Sequence, residues 1–153
     1  MELKNILTAT TVGELTLTEC PRLEPTTLVS DAIAAMRQMS HGCAVVCDGT
    51  QLVGIFTERD FLKVVAENGL DVPMETVMST NPQTVSTHQT LFEATAYMDR
   101  GGYRRLPVVD ENGTPAGILD VKAITHFLVE HFPSAIYNQA SHAQLIAKHR
   151  EGA

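Results

Sequence analysis

Thr57 and Asp60 stand three residues apart in Gly54-Ile55-Phe56-Thr57-Glu58-Arg59-Asp60. Apolar residues flank this stretch on both sides, Leu52-Val53 before it and Phe61-Leu62 with Val64-Val65 after it. The pattern predicts the end of a strand, a tight turn and the first turn of a helix. Such a junction offers unpaired backbone N–H groups and the positive end of the helix dipole. Thr57 adds a hydroxyl. The Asp60 carboxylate can accept two hydrogen bonds from a ribose diol, as an acidic residue does in dinucleotide sites. Gly54 lets a ligand or another backbone come close. The same residues also spell a capping box, with Thr57 as N-cap and Asp60 closing back on it, and alone they favour that structural role.

No other constellation carries catalytic chemistry. The chain has no Gly-x-Ser-x-Gly elbow, no phosphate-loop lysine motif and no His-Glu-x-x-His. Ser40-His41 reads as a helix end rather than a catalytic pair, and the sequence is read as non-enzymatic. The spacings of His126 with His131 and of His142 with His149 do not match a zinc-binding helix. Three cysteines, Cys20, Cys43 and Cys47, argue by their odd number against a disulfide framework. Cys43 and Cys47 fall on one face of a predicted strand and read as small buried hydrophobes.

The elements that position the turn follow from periodicity. At 153 residues and 44% hydrophobic content, the chain suits one compact domain or two small halves sharing a core. A net charge of −7 opposes a nucleic-acid groove. No apolar run is long enough for a membrane span. With no secretory pattern at the N-terminus, a cytoplasmic location is expected. Residues 1–11 read as a short helix or loose arm. Val29, Ala32, Ile33, Met36 and Met39 form one helical stripe, capped by Thr27 or Ser30 and ended by Gly42. Cys43–Cys47 is a buried strand, Asp48-Gly49 a hairpin turn, and Gln51–Phe56 the returning strand.

The pattern then repeats. Ala32, Ala34, Met36, Val46 and Asp48 find Ala94, Ala96, Met98, Val108 and Asp110 62 positions later. Gly54 and Ile55 find Gly117 and Ile118 63 positions later, the extra residue falling in the second hairpin turn. Neither copy is long enough to bury both faces of its sheet, so the two should pack on each other about a pseudo-twofold axis. The expected division is an arm (1–11), a first unit (12–69), a second unit (73–132) and a tail (133–153). Within the second unit, Pro107 suggests a sheet edge. In the tail, Ser141–Arg150 reads as a short helix, and Ile136, Tyr137, Leu145 and Ile146 suggest self-association.

The repeat resembles a tandem pair of CBS domains, the cystathionine β-synthase repeat or Bateman module. The marks are Gly54–Asp60, Tyr103-Arg104-Arg105-Leu106-Pro107-Val108-Val109-Asp110, and Thr84-Val85-Ser86. The resemblance implies an α+β fold of two β-α-β-β-α units packed sheet to sheet, with clefts between them. It implies no required cofactor. It implies a regulatory ligand containing adenosine: AMP, ADP, ATP or S-adenosylmethionine. Carried over by position, Thr57 and Asp60 become ribose contacts, with Gly54 and Arg59 of the same turn among the ligand-binding residues. Arg104 and Arg105 become phosphate candidates, and Thr84 and Val85 backbone contacts to the base. A homodimer and a separate effector protein are the implied partners. Surface pairing of the arginines with Asp99, Asp110 or Glu111 is the plainer alternative, worth about 0–1 kcal/mol.

The copies differ where chemistry would be done. Asp120 and Ala123 stand at the positions of Thr57 and Asp60, and Gly42 and Cys43 at those of Arg104 and Arg105. Asp120 can cap a helix, but Ala123 cannot bind a diol. The expectation is one composite cleft joining Asp60 to the arginine pair. A ligand-independent interaction scaffold is the alternative from another class, with nucleic-acid binding third.

Overall fold

The computed structural model describes residues 2–67 and 69–132; the proposed tail helix and its apolar residues lie outside them. The chain opens with helix α1 (Leu3–Ala9) and a one-turn 3-10 helix (Val12–Glu14). The first copy follows as β1 (Arg22–Leu23), α2 (Val29–Gln38), β2 (Cys43–Asp48), β3 (Gln51–Thr57) and α3 (Glu58–Glu67). A second 3-10 turn (Met74–Thr76) and β4 (Ser79–Thr80) lead into the second copy. That copy is β5 (Val85–Ser86), α4 (Leu91–Gly101), β6 (Arg105–Val109), β7 (Pro115–Asp120) and α5 (Val121–His131).

Each copy pairs its strands alike. β1 runs parallel to β2 and β2 antiparallel to β3; β5 runs parallel to β6 and β6 antiparallel to β7. Asp48 pairs with Gln51, leaving a two-residue hairpin loop in which Gly49 takes φ 63°. Its longer counterpart is an Asx turn, in which the Asp110 carboxylate accepts from the amides of Asn112 (2.8 Å) and Thr114 (3.0 Å).

The copies exchange their lead-in segments. β4, which precedes the second copy, pairs with β3 of the first, Ser79 opposite Ile55 and Thr80 opposite Gly54. Thr18, which precedes the first copy, bridges Ile118 of β7 with bonds of 3.0 and 2.9 Å. The 3-10 turns cross in the same way. The amides of Val12 and Gly13 donate to the carbonyls of Gln89 and Thr87, while those of Met74 and Glu75 donate to Thr27 and Pro25. Val12 and Leu15 therefore sit in the core of the second copy with Leu91, Leu106 and Leu119, joined by Ile6 of α1. Met74 sits in the core of the first copy with Val29, Val46 and Phe56. A third apolar cluster, Cys43, Val45, Cys47, Ile55 and Ile118, closes the space between the sheets. The architecture is α+β, two small sheets packed on each other with helices outside.

Three local expectations change. α2 has no side-chain cap: its N-cap is Leu28, and its first amides, Val29 and Ser30, donate to the carbonyls of Val72 and Leu70. Remote backbone does the work that Thr27 or Ser30 was expected to do. α2 ends at Gln38, before Gly42, and Ser40 turns the chain out of it. Ser40 adopts φ 53°, and the amides of Ser40 and His41 bond back to Arg37 and Met36, a Schellman motif. Ser40-His41 is thus a helix end, as the sequence suggests. Pro107 lies in the middle strand of its sheet, not at an edge. The equivalent Val45 donates its amide to Pro21 at 2.9 Å; Pro107 has no amide, so the second copy lacks that bond.

Candidate functional site

β3 delivers Thr57 to the start of α3, and the two residues expected to do chemistry tie themselves together there. Asp60 Oδ2 accepts from the Thr57 amide at 3.0 Å and from its hydroxyl at 3.2 Å, while the Asp60 amide donates to Thr57 Oγ1 at 3.4 Å. The capping box is formed. Asp60 is only 7% exposed, so its charge is withdrawn from solvent. A third donor comes from outside the turn. The Ser79 hydroxyl lies 3.2 Å from Asp60 Oδ1 and 3.5 Å from Oδ2. It belongs to β4, the segment that enters the second copy.

Ser79 was not singled out from sequence. By sheet register its counterpart is Thr18, opposite Ile118 as Ser79 is opposite Ile55, so a hydroxyl stands at both positions and nothing local marked this one.

The other residues fall around this knot. Gly54 is buried in β3, and a Cβ there would lie 2.4 Å from Met78 Sδ, so the room it leaves is filled by that thioether. Arg59 points outward and is exposed. Val85 is buried in the second core, opposite Val108. Thr84 lines a cavity of about 270 Å³ together with Leu52, Asn81, Pro82 and Val109. Ser79 and Asn81 are two residues apart, at most about 7 Å of chain. The acid and the cavity are thus linked along one segment. A second cavity, of about 240 Å³, lies at the equivalent place in the other half, bounded by Cys20, Arg22, Ala116 and Gly117. Neither arginine of the pair lines either cavity, nor does Asp60.

Arg105 crosses the pseudo-twofold. Its Nη2 would lie 2.9 Å from a Cβ placed on Gly42, and Glu58 Oε1 would lie 2.8 Å from the same point. The Gly42 carbonyl accepts from the Glu58 amide, and the neighbouring Cys43 pairs with Thr57. The Arg105 guanidinium therefore reaches the end of the first sheet from which Asp60 hangs, without touching Asp60. Arg104 is exposed. Among the described residues neither arginine makes an ion pair within 4.0 Å; the salt bridges there are His88–Glu111 and His126–Glu130. Asp110 is occupied by its own turn and Glu111 by His88, so the plainer role for the arginines has lost two of its partners.

In the second copy, Asp120 caps α5 by accepting from the Ala123 amide. Ala123 supplies no carboxylate. His41, beside Arg105 and Gly42, is held below the ordinary 6.5, first by burial and then by the Arg105 charge. Among the described residues no cluster of His, Cys, Asp and Glu is placed to hold a metal.

The CBS domain pattern matches the chain twice, over residues 12–67 and 74–130. A CBS domain-containing protein of Arabidopsis thaliana, CBSCBSPB1, is 36% identical over 115 residues, which is 73% of this chain but 21% of that protein. CBSX2, solved in complex with AMP, superposes with a TM-score of 0.69 at 26% identity, covering 80% of this chain and 98% of that one. The CBS domain pair of protein MJ0100, solved with 5′-methylthioadenosine and S-adenosyl-L-methionine, superposes with a TM-score of 0.69 at 21% identity, over 78% and 99% of the two chains. Two copies of one unit, exchanged lead-ins and a pattern matched in both halves make this chain a member of the CBS domain family, a tandem CBS pair.

Proposed function

We propose that the chain is a regulatory module that binds an adenosine-containing ligand, of the AMP class, in the cleft beside Asp60. One observation carries this reading. The buried Asp60 carboxylate is held by Thr57 through the cap, but its bond to Ser79 is long and made by a freely rotating hydroxyl. A ribose diol can replace that hydroxyl without breaking the cap. The base would lie toward Thr84 and Asn81, and Arg104 and Arg105 would turn to the phosphate, where a guanidinium fork binds well. The AMP complex of CBSX2 supports the ligand class. The second cleft lacks the acid, because Ala123 replaces it, and should bind nucleotide weakly.

The bound state would be passed to a separate effector protein through a shift between arrangements of a homodimer. Exposed apolar residues on α3 (Leu62 and Val65) and α5 (Val121 and Val129) suit the dimer contact. Sedimentation measures that state directly.

A second reading has an observation in its favour. Asp60 is already satisfied inside the protein, and among the described residues no buried side-chain polar atom lacks a partner. That is what a ligand-independent interaction module would show. Thermal melting with AMP, ATP and S-adenosylmethionine separates the readings. A ligand at a hundred times its Kd adds about 2.7 kcal/mol, or about 5–10 °C in Tm. Asp60→Asn should abolish the shift while the protein stays folded. No shift at millimolar ligand leaves the scaffold.

A further inference from the structure

The third apolar cluster holds all the thiols of the chain: Cys43 and Cys47 are buried in it, and Cys20 packs against it. Arg22 pairs with Val45 in parallel register, and the Val45 amide donates to Pro21. Cys20 stands two residues before that short ladder and packs against the cluster that holds Cys43. A disulfide between them needs Cα atoms about 4.4–6.8 Å apart. Cys20, half-buried, also lines the smaller cavity with Glu19, Arg22 and Met39, while Cys43 is fully buried.

A base stands beside the pair. His41 Nδ1 accepts from the Cys43 amide at 3.2 Å, which makes it an acceptor, and it lies 3.4 Å from Cys43 Sγ. The two thiols differ in the direction their environment pushes them. The neighbouring Cys43 thiol is the chief influence holding Cys20 below the ordinary 9.0, against burial and with help from the Val45 backbone and the Arg22 charge. Cys20 in turn, together with burial, pushes Cys43 up. Cys47 is pushed up by burial.

We infer that Cys20 and Cys43 form a reversible dithiol site for a small hydroperoxide, Cys20 attacking and Cys43 resolving. The Cys20 thiolate attacks one peroxide oxygen, the O–O bond breaks, and the departing hydroxide takes a proton from solvent to become water. Cys20 is left as a sulfenic acid. The Cys43 sulfur then attacks the Cys20 sulfur and passes its proton to His41 Nδ1. The S–S bond forms, and the sulfenic oxygen leaves as hydroxide and takes that proton as a second water. Two thiols lose two electrons and one hydrogen peroxide gains them, so the balance closes without a metal or cofactor. The bridge would fasten the crossing segment between Thr18 and Arg22 to β2 and reshape the wall of the cavity. This chemistry does not rest on the proposed nucleotide site beside Asp60.

Peptide mapping after treatment of the whole protein with hydrogen peroxide and alkylation tests the inference. The expected result is a Cys20–Cys43 linked peptide within one chain, loss of two of three titratable thiols, and full reversal by dithiothreitol. Cys47→Ser should still form the link. Cys43→Ser should instead accumulate Cys20 sulfenic acid, trapped by dimedone. In the untreated protein Cys20 should alkylate about tenfold faster than Cys47. A link through Cys47, a link only between chains, or three thiols surviving millimolar peroxide each overturns the proposal. If Cys43→Ser fails to fold, the wild-type map alone decides.

Discussion

The two halves of this protein are the same scaffold with different polar equipment. α2 begins at Leu28 and leaves its amides to the carbonyls of Leu70 and Val72, whereas α4 begins at Thr90 with a full capping box to Glu93. The left-handed residue that ends the helix is Ser40 in the first copy and Gly102 in the second. α3 is closed by Thr57 and Asp60 together, and α5 by Asp120 alone. β2 makes a bond to Pro21 that Pro107 denies its counterpart. Apolar spacing has therefore been kept while caps, stops and charges have drifted. The drift is tolerated because each helix end needs some partner for its amides and carbonyls, not a particular one.

Substitutions at paired positions break this comparison open. The largest effect is expected at the glycines of the third strands. Gly117 adopts φ 149° and faces the Leu17 Cβ at 2.7 Å, a rigid neighbour, while Gly54 faces the movable end of Met78. Gly117→Ala should cost about 3 kcal/mol and Gly54→Ala about 1 kcal/mol in urea denaturation. Next come the caps. Thr90→Ala should lose about 1 kcal/mol, whereas Ser30→Ala, whose hydroxyl caps nothing, should stay within about 0.5 kcal/mol. Ser40→Gly should gain about 0.5 kcal/mol, since relief of the left-handed conformation exceeds the added chain entropy.

The smallest effect is a slope. His41 is depressed below 6.5 in the folded protein, so the unfolded chain binds the proton more readily. Stability from this residue is complete above about pH 6.5 and declines as pH falls toward the folded value. His41→Gln should flatten that part of a Tm-against-pH curve relative to wild type.

What could be read from sequence is what local chemistry decides. The hairpin at Asp48-Gly49, the Asp120 cap and the helix end at Ser40-His41 all depend on residues within a few positions of one another, and the two-copy register on apolar spacing repeated inside each copy. The missed features depend on distant ones. Thr27 and Ser30 look like caps until Leu70 and Val72 arrive from the end of the copy. At the candidate site, the pairing of Thr57 with Asp60 was legible from their spacing. The hydroxyl of Ser79 was not, because β4 reaches Asp60 only after the lead-ins have been exchanged.

That exchange also governs how the molecule can come apart. A fragment cut between the copies, near Asp71, would carry Val12 and Leu15 with no second core to enter and would leave behind Met74, which seals the first. Such halves should remain unstructured separately and regain order only when mixed. Calorimetry of the intact chain should accordingly record one cooperative endotherm, since neither half can melt while its neighbour stands.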